Sequence, residues 1–423
     1  QAIKNGYPKA MYIYGQMLVK GENCQENKEE GLKYIKMAAD KGYSKAMYCY
    51  SIMLEKEDKE TSLKYLKMAI NEGNVEAMYK YANELGKNDE YSHRLLKKAC
   101  DKGHIDSMYS YGMILLKGEG IPSNKEEAAK YLKIAADNGI EDAIAKYGDM
   151  LENGDGIPID IESAIKYYKM AIEKGNSEAM NNYAYLLDHD TNDDEKEANK
   201  EEAAKYYKMA IDQGHAEAMN NYAEMLNKDE YLCLNKEEES IKYYKMAIDE
   251  GNSDAMNNYA YKFDKGIGVE VNKEEAAKYY KMAIDKGNPI AMCNYAYFLD
   301  NGEDADNNKE EVIKYYKMAI DRGNSVAMNN YAFKLDKGIG VDVNKEEAAK
   351  YYKLAIENGD SSAMDNYGKM LQRDENDQSN KVKAIKYFKM AIEKGNPEAM
   401  NNYGCMLQYG DGIDINKQEA IKY

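Results

Sequence analysis

The chain has 423 residues, 44% of them hydrophobic and 31% charged, and a formal net charge of −17 at pH 7. Its 41 Tyr and 26 Met stand against 4 Phe, 5 Pro and no Trp, so a helical chain with a core of Tyr, Met, Leu, Ile and Ala is expected. The acidity disfavours nucleic acid as a partner, because phosphate is repelled, and no apolar run approaches the roughly 18 residues of a membrane span.

Residues 1 to 5 read as the tail of a preceding repeat. From there a glycine precedes an Ala-Met dipeptide or its variant at Gly6, Gly42, Gly73, Gly103, Gly139, Gly175, Gly214, Gly251, Gly287, Gly323, Gly359 and Gly395. These anchors define twelve repeats, most of them 36 residues long. The chain starts at Gln1 and stops inside a second-helix pattern at Tyr423, so it reads as a segment of a longer protein.

Repeats two and three have shortened loops, EKEDKET and GKNDEYSHR, which are expected to tighten the turn. Repeat six carries an acidic insertion, Asp188 to Glu197, with oxygen side chains at Asp188, Asp190, Asn192 and Asp194. A calcium loop would need glycine at its sixth position and a bidentate Glu at its twelfth, where Asn199 stands; a solvated acidic turn is the expectation. The segment from Asp300 to Asp306 is a weaker version of the same pattern.

Repeat eight, from Gly251 to Lys286, is the plain form. Asn252 is placed to cap a helix in which Ala255, Met256, Tyr259, Ala260 and Phe263 recur at steps of three and four. Gly266-Ile267-Gly268-Val269 breaks that period, and Asn272 with Glu275 forms a variant of the capping box. A second helix follows through Ala276, Tyr279, Tyr280, Ala283 and Ile284 to a left-handed stop at Gly287. Neither short amphipathic helix buries its stripe alone, so stacked neighbours, an all-α solenoid of about twelve antiparallel helix-turn-helix repeats, are predicted.

Tyr fills the same first-helix site in all twelve copies, from Tyr14 to Tyr403, and the next residue is always Gly, Ala or Ser. A ring beside a minimal side chain is what close helix packing needs, so this stripe is assigned to the core.

The repeat resembles the Sel-one-like repeat, a relative of the tetratricopeptide repeat. The resemblance is carried by Ala255, Gly266-Ile267-Gly268-Val269, Tyr279-Tyr280, Met282-Ala283-Ile284 and Gly287, and it extends over essentially the whole chain. Tyr259 and its equivalents stand where the family usually has Leu. The resemblance implies a right-handed superhelix of helix pairs that binds other proteins.

The composition changes near residue 139. Residues 1 to 138 hold 22 Lys+Arg and 20 Asp+Glu, whereas residues 139 to 423 hold 36 and 55. In the first sub-array the site after Ala-Met is Tyr12, Tyr48, Tyr79 and Tyr109. In the second the two sites are mostly Asn pairs: Asn181-Asn182, Asn220-Asn221, Asn257-Asn258, Asn329-Asn330 and Asn401-Asn402. Second helices change in step, from Tyr-Ile and Tyr-Leu to Tyr-Tyr. Both sites lie beside the packed stripe and are expected to be exposed. The Tyr set would then form a groove for a peptide or helix, and the Asn rows would bind extended backbone. The competing expectation is that the Asn pairs hydrogen-bond between adjacent first helices.

The six cysteines show no C-x-x-C pair and no constant phase, which argues against a zinc site or a disulfide framework and favours a reducing, cytoplasmic setting. The four histidines fall at unrelated phases, and no nucleophile constellation or H-E-x-x-H is present. The G-x-G loops lack a following Lys-Ser/Thr and sit between helices, so no nucleotide or other cofactor is expected. A non-catalytic protein-interaction scaffold is therefore the leading expectation. A structural brick of a large assembly, such as a cytoskeletal lattice, is the alternative, and hydrolase activity, proposed for some disulfide-rich relatives, is the remote one.

Overall fold

The computed structural model describes residues 2–3, 5–189, 196–228, 236–302, 304–305, 307–373 and 378–423. Among these residues there are 24 helices and no strand, alternating as first and second helices of the twelve repeats. Packing divides the chain into two compact units, residues 1–213 and 214–423, each a stack of six repeats. The change of composition at residue 139 therefore falls inside the first unit.

The helices begin where the sequence places a cap. Asn252 accepts from the Ala255 backbone N–H at 2.8 Å, and Asn272 accepts from Glu274 and Glu275 at 3.1 and 3.0 Å. The second helix ends in paired backbone bonds, Gly287 N–H to the Ile284 carbonyl and Asn288 N–H to the Ala283 carbonyl.

Within each repeat the two helices cross at the small residue after the first-helix tyrosine. A small residue of the second helix faces it in eleven copies, from Gly31 to Ala420, with Val312 as the exception. A Cβ on Gly15 would lie 2.8 Å from the Gly31 carbonyl oxygen, so the backbones nearly touch. Where serine occupies the second-helix site, its hydroxyl donates to the first helix: Ser62 to the Ser51 carbonyl at 2.7 Å, Ser92 to Ala82 at 2.8 Å and Ser240 to Ala223 at 3.0 Å. At this approach the tyrosine meets a second-helix tyrosine edge to face. Tyr14–Tyr34, Tyr147–Tyr167, Tyr259–Tyr279 and Tyr403–Tyr423 have centroids 4.9–5.1 Å apart. Repeat three is the outlier. Leu95 replaces the partner there, and Tyr91 supplies the ring at 6.2 Å from Tyr81.

Neighbouring first helices also meet. Glu141–Asn153 touches Ser177–Asp188, Ser253–Lys265 touches Pro289–Asp300, and Ser325–Lys337 touches Ser361–Gln372. The G-x-G loops lean on the preceding repeat. Gly156 has φ +76°, and a Cβ there would sit 2.3 Å from the Lys125 carbonyl carbon, whereas Gly175, at φ +90°, has open space around it.

Both glycines therefore share the left-handed strain of about 1–2 kcal/mol that an alanine would feel. Gly156→Ala is expected to cost at least about 1 kcal/mol more than Gly175→Ala, because only the former drives a methyl into backbone. Urea denaturation of the two variants measures the difference, and equal losses would contradict the close approach.

Candidate interaction surface

One turn of helical phase separates what each first helix buries from what it shows. In Ser253–Lys265 the buried residues are Ala255, Met256, Asn257, Tyr259, Ala260, Lys262 and Asp264, while Asp254, Tyr261 and Lys265 are exposed and Asn258 is half-buried. The expectation that both members of each Asn pair are exposed is thus corrected for the first member. Asn181, Asn220, Asn257 and Asn329 are 1–6% exposed, because the neighbouring first helix closes over them. Asn401 in repeat twelve is exposed. The second members, Asn182, Asn221, Asn258, Asn330 and Asn402, are half-buried along the rim.

The amides form a ladder between repeats. Asn258 donates to Asn220 at 3.1 Å, Asn294 to Asn257 at 3.0 Å, Asn366 to Asn329 at 3.0 Å and Asn402 to Asp365 at 2.7 Å. Each rung runs from the second member of one pair to the first-member site of the preceding repeat. Within a pair the first member donates to the second, as Asn181 does to Asn182 at 3.1 Å and Asn257 to Asn258 at 3.2 Å. The ladder also accounts for the second helices changing in step. Tyr168 and Tyr316 bury a ring where the early repeats bury Ile35 and Leu66. Asn182 and Asn330 of the following repeats lie against their hydroxyls, and Tyr168 donates to Glu152 at 2.6 Å. A buried phenol needs a polar partner, and the Asn rim supplies it.

Tyr12, Tyr48, Tyr79 and Tyr109 occupy the first-member site, but the ring is too large to be swallowed and each is half-buried. Tyr12 accepts from Gln16 at 2.7 Å and leans on Tyr43 at 5.4 Å, and Tyr79 leans on His104 at 5.2 Å. Burial pushes the Tyr12, Tyr48 and Tyr109 phenols above the ordinary tyrosine value.

Two features escaped the sequence reading. The site two residues after the core tyrosine is exposed and aromatic at Tyr185, Tyr261, Tyr297 and Phe333. Helical phase was the available signal, since these rings lie off the buried stripe. The next site is Met, Leu or Phe in most later copies but buried Lys in two: Lys262 donates to Asn227 at 2.8 Å and Lys334 to Asp300 at 2.6 Å, each in the preceding repeat.

The remaining polar groups have structural tasks. His104 and His215 accept from the Ser107 and Ala218 backbone N–H groups, replacing Asn as helix caps. His93 is buried and donates to the Lys87 carbonyl at 2.6 Å. Among the described residues Cys24, Cys49, Cys100, Cys293 and Cys405 are free thiols, and burial pushes Cys100 and Cys293 up to about 12, away from nucleophilic use. No cluster of three or more metal-ligating side chains occurs among the described residues. Of the calcium-like segment, residues 190–195 lie outside them, as does Cys233. No helix among the described residues is long and apolar enough to cross a membrane.

The pattern described as Sel1 repeat matches twelve consecutive segments, from residues 8–43 to residues 397–423. The chain belongs to the Sel1 repeat family. No curated protein matches the chain in sequence. Its fold is similar to that of a protective antigen of uropathogenic Escherichia coli strains displaying an SLR fold. That match has 20% identity and a TM-score of 0.55, and covers 100% of this chain and 93% of that one. A Sel1 repeat protein from Oxalobacter formigenes is similar at 20% identity and a TM-score of 0.48, over 72% of this chain and 90% of that one.

Two stability predictions follow from the ways these Sel1 repeats use their first helices. Asn257→Ala removes a buried amide that both accepts from Asn294 and donates to Asn258, and is expected to cost about 1–3 kcal/mol in urea denaturation; no loss would dissolve the ladder. Burial holds the Lys262 ammonium below the ordinary lysine value of 10.5. Between the folded value and 10.5 the unfolded chain binds more protons, so stability rises with pH there and levels off above. Lys262→Met should remove that rise and stabilise the protein at neutral pH by about 1–3 kcal/mol, while Lys334→Met, which strands Asp300, should not stabilise it. Thermal melts from pH 7 to 11 check both signs.

Proposed function

We propose that the chain is a non-catalytic scaffold that binds partner proteins along the exposed strips of its first helices. Sel1 and related helical-repeat proteins generally act as protein-interaction scaffolds. The observation that carries the reading here is the segregation within each first helix. One face is spent on the stack, and a second runs along successive repeats as solvent-facing Tyr, Asn and aromatic rows. A non-catalytic role is supported by the histidines, two of which serve as helix caps.

The strip is not uniform in sequence. In residues 1 to 138 it presents Tyr12, Tyr48, Tyr79 and Tyr109 on a near-neutral background, which suits apolar or amphipathic segments. In residues 139 to 423 it presents the Asn rim, with Asn182, Asn221, Asn258, Asn330 and Asn402, on an acidic background that favours neutral or basic partners. The two sub-arrays are therefore proposed to take different partners. A reducing compartment such as the cytoplasm belongs to the same proposal, supported by the free thiols among the described residues.

Lysine-directed crosslinking of the native protein followed by mass spectrometry tests the reading. Partner crosslinks are expected on first-helix lysines such as Lys45, Lys117, Lys265 and Lys337. Crosslinks concentrated instead on second-helix lysines such as Lys130, Lys166 and Lys278 would mean that partners grip the outside, as they would a brick in a lattice.

A further inference from the structure

The second unit carries an aromatic ladder whose spacing suits one kind of polypeptide. Tyr261, Tyr297 and Phe333 occupy the same site in repeats eight, nine and ten, and are 46%, 52% and 39% exposed. Rings of this size normally bury most of their surface, and nothing in the stack requires these to face water. Ile290 and Val326, each 49% exposed, lie on the same strip one helical turn and more before Tyr297 and Phe333. Between the two rows run the half-buried amides of Asn258, Asn294 and Asn330.

The rings are neighbours across repeats. The Lys265 ammonium stands 5.8 Å from the Tyr261 centroid and 5.9 Å from the Tyr297 centroid, so one cation bridges the two faces. Phe333 follows in register, since the adjacent Lys334 reaches back to Asp300 of repeat nine at 2.6 Å. Clefts of about 390 Å³ beside Tyr297 and about 300 Å³ beside Phe333 interrupt the ladder.

Spacing selects the occupant. Packed helices lie about 8–10 Å apart, so the ladder repeats at that interval. A β-strand returns a side chain to the same face every ~6.7 Å, and an α-helix turns every ~5.4 Å. A polyproline II helix returns a side chain to the same face every third residue, about 9.3 Å, and so matches one repeat per turn. Its carbonyls have no internal partners, and side-chain amides such as Asn294 retain an N–H beyond the one given to Asn257. Charge agrees. The ammonium groups beside the rings have carboxylate partners, Lys265 and Lys273 on Asp264 at 2.9 and 2.6 Å and Lys337 on Asp336 at 3.8 Å, which leaves the ladder suited to an uncharged segment.

We propose that Tyr261, Tyr297 and Phe333 form a docking ladder for a proline-rich partner segment in the polyproline II conformation, with one apolar side chain per ring at every third position. The proposal rests on the reading of the first helices as the binding face and names the partner class for residues 253–337.

Fluorescence anisotropy tests it with three labelled peptides of equal length: four Leu-Pro-Pro triplets, an isomer of the same composition with leucines at irregular spacing, and a valine-threonine strand-former. The triplet peptide is expected to bind at least about ten-fold more tightly than either control. The variant Tyr261→Ser/Tyr297→Ser/Phe333→Ser is expected to lose about ten-fold or more in affinity with an unchanged melting temperature. If that variant melts early, Tyr297→Ser alone, at the most exposed ring, should lose about three-fold. Equal binding of the isomers, preference for the strand-former, no binding of any peptide, or undiminished binding by the variants each overturns the proposal. Were any of these found while partner crosslinks still fell on first-helix lysines, the ladder would fall and the scaffold reading would stand. Crosslinks on second helices would sink the scaffold reading whatever the peptides do.

Discussion

The structure depends on one contact made twelve times: a tyrosine of the first helix set edge-on against an aromatic ring of the second, beside a pair of residues small enough to let the backbones meet. The small residues set the distance between helices and the rings lock the angle. Each pair contributes about 0.5–1.5 kcal/mol beyond the area it buries. Because the contact lies within a repeat, it builds a helical hairpin and leaves the hairpin's other faces for its neighbours, which is the condition for a stack that adds repeats one at a time.

The contacts between hairpins then follow from helical phase. With 3.6 residues per turn, Tyr259 faces its own second helix, Asn257 and Lys262 face the preceding first helix, and Tyr261 faces neither. Polar side chains carry much of the coupling between repeats: the amide ladder, the Lys334–Asp300 pair and the Arg373–Asp336 pair all join one repeat to the next. Directional bonds of this kind set register, whereas apolar contacts alone tolerate sliding. The tyrosines of the later second helices belong to the same device, since their hydroxyls bind the polar rim that the early repeats lack.

Much of this was legible in the sequence. Recurrence of Tyr259 and Ala260 at one phase marked the core, Asn252 and Asn272 marked the helix starts, and Gly266 marked the turn. What could not be read was burial imposed by a neighbour. Asn257 and Asn258 look equivalent along a single helix, and only the approach of the Pro289–Asp300 helix separates a swallowed amide from one on the rim. Lys262 is a surface residue by type, and it is buried because Asn227 of another repeat waits for its ammonium. His104 and His215 carried no legible task, because a cap is defined by backbone geometry rather than by residue type. The exposed rings at Tyr261, Tyr297 and Phe333 were hidden in a sequence where 41 tyrosines make another tyrosine unremarked.

The central claim is that each first helix divides its residues between a face that holds the stack and a face that is free to bind, and Tyr259 and Tyr261, two positions apart, lie on opposite sides of that division. Urea denaturation of Tyr259→Ser and Tyr261→Ser compares them directly. A loss of about 3 kcal/mol or more for Tyr259→Ser beside a change within about 0.5 kcal/mol for Tyr261→Ser is the predicted result. Equal losses would contradict the division, and with it the assignment of the exposed face to partners.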